Sequence, residues 1–219
     1  VGAAAVQNVG AYGVEVSDYI DYVEVLNIST LEIERFSAEE CRYSYRNSVF
    51  KDKFKGQYIV LYVGFVLFMT LNPNLSYGIL KNKMEGLSIT HPTALQVRDI
   101  VIEIRKEKLP EPSKLGSAGS FFMNPIISSE LFDALIHKYP DMPNFDTADG
   151  KKISAGWLIE QCGWKGVRHG NVGVYEKQAL VIVNYGGANG QDVKDFADRI
   201  VADVEKKFGI RLIPEANFI

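Results

Sequence analysis

Cysteine and histidine are scarce in this chain of 219 residues, which has two of the first and three of the second. Cys41 and Cys162 lie far apart, with no Cys-x-x-Cys, which fits a reducing compartment and gives no metal framework. No His, Cys or carboxylate pair has ligand spacing on a helix, so no metal site is expected. Long apolar runs are also missing. The longest, Tyr58 to Leu71, is too short for a membrane helix and alternates like a strand. A positive excess is absent too: the net charge of −3 argues against non-specific nucleic-acid binding, which wants a basic surface. The first residues lack a basic region followed by an apolar core, so no signal peptide is expected, and neither is a membrane partner.

What remains is the composition of a folded protein. Hydrophobic residues make up 47% and charged residues 23%, enough to bury a sizeable core in one large domain or two small ones. Tyr22 to Phe36 predicts a hairpin turning at Ser29-Thr30, and Ser37-Ala-Glu-Glu40 predicts a capping box that opens a short helix. Tyr58 to Met69 predicts a strand with Val60, Tyr62, Gly64 and Val66 on one face. Thr93 and Gln96 form a second capping box for a helix to about Lys108, striped by Val97, Ile100, Val101 and Ile104. Leu109-Pro-Glu-Pro then reads as a domain linker. Later helices are expected at about 128–138, 155–162 and 191–208. Loop is expected at 139–150, paired strands at 172–175 and 179–184, and a last strand at 210–213. Regular strand–helix–strand alternation is missing, which favours an α+β fold in two parts, 1–108 and 114–219.

The chemistry centres on Gly116-Ser-Ala-Gly-Ser-Phe-Phe-Met-Asn-Pro125, which reads as a tight turn presenting Ser120, anchored by two aromatics. A hydrolase elbow would need glycine where Phe122 stands, and no histidine has the context of a base, so a nucleophile is disfavoured. A turn serine satisfying backbone is the plain competitor. Gly186-Gly-Ala-Asn-Gly190 resembles a phosphate-cradling turn but lacks the fingerprint order, so a loop with Asn189 near a helix cap is favoured. Glu215, after Pro214, either points a carboxyl into a cleft or is a solvated surface glutamate. Arg46, set between tyrosines, is either stacked on a surface or a pre-set carboxylate fork.

Several segments appear in one order: Gly2 to Gly13, Cys41 to Lys51, Lys108-Leu-Pro-Glu-Pro112, Gly116 to Pro125, Ala155 to Cys162 and Leu212-Ile-Pro-Glu215. Together they closely resemble the UDP-N-acetylenolpyruvoylglucosamine reductase family, cytoplasmic flavoenzymes that make UDP-N-acetylmuramate for bacterial peptidoglycan. The resemblance covers the whole chain. It implies a partial FAD-binding subdomain with a mainly antiparallel sheet, followed by a small α+β substrate-binding domain. It also implies FAD as cofactor, NADPH as co-substrate and UDP-N-acetylglucosamine enolpyruvate as substrate. Ser120 matches the family's proton donor, and Arg46 and Glu215 match its two electrophilic helpers. Tyr77, Lys108, Asn124 and Gln178 match positions that hold the nucleotide diphosphate and sugar. Ala3, Val6, Gly10 and Val60 match positions lining the flavin.

The family carries a further N-terminal part with a Gly-rich loop on the flavin pyrophosphate, so an upstream FAD-binding segment of the same polypeptide is expected as a partner. Met123 and Asn217 stand where the family often has basic residues. The alternatives are a non-catalytic nucleotide-sugar-binding fragment without retained FAD, and a flavoprotein acting on another substrate.

Overall fold

The computed structural model describes residues 2–75 and 78–218. The chain divides into two compact units, Val1–Ile102 and Glu103–Ile219. The division falls inside a helix, upstream of the proline segment expected as the linker.

Unit 1 opens with helix α1 (Gly2–Gln7) and a two-residue ribbon, β1 (Gly10–Ala11) with β2 (Val14–Glu15). A three-stranded antiparallel sheet follows, built from β3 (Ile20–Asn27), β4 (Ile33–Ser37) and β5 (Tyr58–Phe65), with β3 in the centre. The expected hairpin is β3–β4, with Val23 opposite Phe36. Ile20, Val23 and Val25 are buried, together with Ala5, Cys41, Val49 and Phe50. Phe36, Phe50, Phe54 and Tyr58 meet edge-on at centroid separations of 5.4–6.2 Å. Helices α2 (Gly78–Gly86) and α3 (Ala94–Lys108) follow, and Thr93 and Gln96 exchange the bonds of the expected capping box.

Several expectations fail in unit 1 for physical reasons. The β3–β5 register shifts so that Glu24 faces Tyr62 but Val25 faces Val60, a bulge that breaks the alternation. Val60 and Val63 therefore pack on the core while Tyr62 is 67% exposed. Ser37 and Glu40 do exchange capping bonds, yet residues 38–42 form only turns. One cap cannot nucleate a helix when the next turn carries Arg42 at positive φ. The small-residue start proved to be a helix, and α2 was not expected.

Unit 2 contains a four-stranded antiparallel sheet in the order β10 (Arg168–His169), β11 (Val172–Val174), β12 (Val181–Asn184), β6 (Gly116–Ser120). Helix α6 (Gly190–Phe208) packs on β11 and β12 through Phe196, Ala197, Ile200, Val201 and Val204. Asn189 is its N-cap, completed by Asp192, and Gly209 ends it at φ 68°. A smaller sheet joins β7 (Ile126–Ile127), β9 (Gly150–Ile153) and β8 (Asn144–Thr147), beside α4 (Ser129–Lys138) and α5 (Ala155–Gln161). The β8–β9 hairpin occupies much of the stretch expected to be loop. The expected strand at 210–213 is an extended segment without ladder pairing, and it touches its neighbour through the isolated bridge Phe122–Pro214. Among the described residues no helix is long and apolar enough to cross a membrane.

Candidate active site

Ser120 is not on a tight turn. It is the last residue of β6, opposite Val181, and the register shifts between this pair and Ser117–Val183. The extra residue sits on β6, where Gly119 takes φ +73°. Such a bulge re-aims the side chain that follows it, and only glycine adopts that angle without strain. All of β6 is exposed, whereas Phe121 and Phe122 are 2% exposed. An exposed hydroxyl is thus mounted directly on two core anchors.

The backbone beyond Ser120 is held from both sides. The N–H of Phe121 donates to the carbonyl of Leu180 at 2.7 Å, and the N–H of Met123 donates to the carbonyl of Ile213 at 2.9 Å. The N–H of Glu215 donates to the carbonyl of Phe121 at 2.7 Å. Ser120 and Glu215 are therefore brought to neighbouring positions of one paired backbone.

Asn124 turns inward: its Oδ1 accepts the N–H of Ala155 at 2.9 Å, at the start of α5, where Ser154 is the N-cap. Gln178 lies in the turn before β12, and its carbonyl accepts from Val181 at 3.0 Å. A Cβ added at Gly156 would stand 3.6 Å from Gln178 Oε1. Ser120, Asn124, Gln178 and Glu215 are thus joined through adjacent backbone in unit 2. Lys108 closes α3 beside Arg105 and Lys106 and takes no part in those pairings. Tyr77 lies outside the described residues.

In unit 1, Arg46 sits at φ +55°, and its Nη2 and Nη1 donate to the carbonyls of Gly10 at 2.6 Å and Asn8 at 3.3 Å. Its guanidinium also lies 5.1 Å from the Tyr45 ring. Glu15 stands 3.9 Å from Nη1. A side chain at Gly10 would meet Glu15, Val14 and Arg46 at 2.9–3.1 Å, so anything larger than glycine crowds the arginine's seat. Val6 offers its carbonyl to the Ser48 hydroxyl at 2.6 Å, and Gly2 packs against Val60. Ala3 is exposed, and Val6, Gly10 and Val60 are half-buried.

Sequence reasoning missed Asn8, Glu15 and Ser48. Asn8 and Ser48 are buried polar residues, 0% and 1% exposed, and tie the segment 41–51 to the start of the chain. The available signal was a lone asparagine inside a run of small and apolar residues.

Residues 111–219 match the family profile described as UDP-N-acetylenolpyruvoylglucosamine reductase, C-terminal domain. Proteins named UDP-N-acetylenolpyruvoylglucosamine reductase from Porphyromonas gingivalis and Bacteroides fragilis are each 50% identical to this chain over its full length. The chain is thus similar along its whole length to the UDP-N-acetylenolpyruvoylglucosamine reductases, and its residues 111–219 match that family's C-terminal domain. It spans 65% of the length of those two relatives. The solved reductase structure from Thermus caldophilus, 23% identical, superposes with a TM-score of 0.61 over 99% of this chain and 59% of its own. That likeness concerns the fold, and it agrees with the α+β architecture of this chain.

Proposed function

We propose that this chain is part of a protein that carries out the NADPH- and FAD-dependent reduction of UDP-N-acetylglucosamine enolpyruvate to UDP-N-acetylmuramate, a cytoplasmic step of peptidoglycan precursor synthesis, together with the FAD-binding segment expected upstream in the same polypeptide. The observation that carries the reading is the backbone pairing of Glu215 with Phe121, the residue that follows the exposed Ser120.

The residues proposed to line the flavin fit a ring system. Ala3, Val6, Gly10 and Val60 are small or apolar, and α1 packs on β5 through Gly2 and Val60. FAD held there would supply hydride-transfer chemistry, with NADPH as the reductant. This chain's residues manage the charge and the proton. Hydride addition at the enolpyruvyl methylene carbon leaves negative charge spread over the neighbouring carbon and the carboxylate. Arg46, a permanent cation with a planar fork, stabilises that carboxylate. The charged carbon is strongly basic, so it takes the proton of a weak acid, the Ser120 hydroxyl, and no histidine is needed. Solvent then returns a proton to Ser120. Glu215 assists by donating a hydrogen bond when protonated or by polarising the other face. Lys108, Asn124, Gln178 and Tyr77 hold the diphosphate and sugar.

The test uses the protein as its gene encodes it. A yellow protein that oxidises NADPH only when the enolpyruvyl nucleotide sugar is present, and yields the lactyl ether, supports the proposal. A colourless protein that still binds the nucleotide sugar overturns it in favour of the non-catalytic binding fragment.

A further inference from the structure

Unit 2 carries a cleft of about 290 Å³ at the end of its main sheet remote from Ser120. Ser120 faces Val181 at the start of β12, whereas Val172, which lines the cleft, pairs with Asn184 at the other end and with His169 of β10. The walls are fixed by their own bonds. Asn184 Oδ1 accepts the N–H groups of Gly186 and Ala188 at 2.9 and 3.3 Å, and its Nδ2 donates to the Ala188 carbonyl at 2.9 Å. The N–H of Tyr185 donates to the carbonyl of Asn171 at 2.8 Å. The His169 ring stands edge-on to Trp164 and Phe196, at centroid separations of 5.6 and 5.7 Å. A site shaped in advance costs little further ordering when a ligand enters.

Charge is laid out along one stripe of α6. Asp192, Asp195, Phe196 and Arg199 all line the cleft, and their spacings of three and four residues put them on one face. The two carboxylates bond neutral groups: Asp192 Oδ2 accepts the N–H of Asn189 at 2.9 Å, and Asp195 Oδ1 accepts from Gln191 Nε2 at 2.6 Å. Arg199 follows Asp195 at ion-pair spacing, yet its Nη1 stands 3.2 Å from His169 Nδ1 instead. A guanidinium cannot accept, so Nδ1 is the acceptor and the neutral ring carries its proton on Nε2. Lys194, the neighbouring cation, is held by Asp198 at 2.6 Å. The cleft therefore offers two carboxylates and, one turn further along, a guanidinium beside an imidazole, over Val172 and Phe196, each 3% exposed.

We propose that this cleft binds a basic α-amino acid, a lysine-like molecule with two ammonium groups and one carboxylate. Arg199 and the Nε2–H of His169 take the carboxylate. Asp195 and Asp192 precede Arg199 by about 6 and 10.5 Å along the helix axis. That order suits an α-ammonium beside the carboxylate and a second ammonium at the far end of the stem, whose methylenes lie on Phe196 and Val172. The site is separate from the proposed reduction, and its test reads binding alone.

Equilibrium dialysis of the protein as its gene encodes it, with labelled L-lysine at low salt, is expected to show one saturable site. Norleucine, which lacks the second ammonium, and cadaverine, which lacks the carboxylate, should each bind ~10-fold more weakly or worse, the usual loss for one charged hydrogen-bonding group. Asp195→Asn and Arg199→Gln alter exposed side chains and leave the buried stripe of α6 intact, so both variants should fold. Each should weaken lysine by a similar ~10-fold, and Arg199→Gln should leave cadaverine binding unchanged. Wild-type protein without saturable lysine binding overturns the proposal. Equal affinities for the three compounds, or variants that bind lysine as tightly as the wild type, overturn it as well.

Discussion

The main-chain N–H of Glu215 donates to the carbonyl of Phe121 at 2.7 Å, one residue beyond Ser120. Two residues from opposite ends of unit 2 therefore share one rigid backbone frame. Substituting Ser120→Ala leaves the frame intact and removes only the hydroxyl. Flavin reduction by NADPH should persist, while formation of the lactyl product falls by ~10²–10⁴, the usual range for a general acid. Rapid-mixing kinetics that follow the two half-reactions separately check this. Unchanged product formation would remove Ser120 from the proton-donor role.

Phe122 is the anchor of that frame. It is 2% exposed and bridges to Pro214, so truncation opens a cavity directly under Ser120 and Glu215. Phe122→Ala should cost about 3–5 kcal/mol of stability, in the range seen for buried phenylalanines. Denaturant unfolding of the variant measures it, and a loss below about 1 kcal/mol would mean that the strand is held chiefly by its backbone bonds.

Much of this frame was legible in the sequence, and its failures have causes. Local signals worked where a cap acts within one element, as at Thr93 and Gln96 and at Asn189, but not at Ser37 and Glu40, whose capping bonds open no helix. They failed where tertiary register decides. The bulge at Gly119 looks like a turn glycine in sequence and becomes a strand irregularity only when paired with β12. The segment at 210–213 has strand composition, yet its partner pairs with it through single bonds to residues 121–123. Ser120, Arg46 and Glu215 could be singled out because their local sequences are distinctive, though Ser120 was expected on a turn and lies on β6. Asn8 and Glu15 were not, since a buried hydrogen-bond chain has no periodicity to read.

Gly10 gives a direct test of the Arg46 seat. An added Cβ would lie 3.0 Å from the Val14 carbonyl and 3.1 Å from Arg46 Nη1. The backbone carbonyl cannot swing away as a flexible side chain would, so the arginine and Glu15 must move. Gly10→Ala should therefore destabilise unit 1 by about 1–3 kcal/mol through overpacking. It should also lower substrate turnover more than flavin reduction. Thermal melting together with the two half-reaction rates checks both parts, and an unperturbed melting temperature would show that the ribbon yields.

The pH dependence of unit 1 turns on Cys41 and Tyr43. Burial pushes the Cys41 thiol above its ordinary value of 9.0, against a smaller opposing effect of Tyr43. Burial also pushes the Tyr43 phenol well above 10.0, and the neighbouring Cys41 adds to the rise. Both groups ionise by losing a proton to become anions, and in both the folded state holds the proton more tightly than the unfolded chain. Their contribution is therefore fully present below about pH 9 and is lost as pH climbs through the raised folded values. The protein should melt at nearly constant temperature from neutral pH to about 9 and progressively lower above it. Tyr43→Phe removes one of the two ionisations and should flatten the alkaline limb while leaving the neutral melting temperature nearly unchanged. A variant whose alkaline limb falls as steeply as the wild type would place the alkaline sensitivity outside this pair.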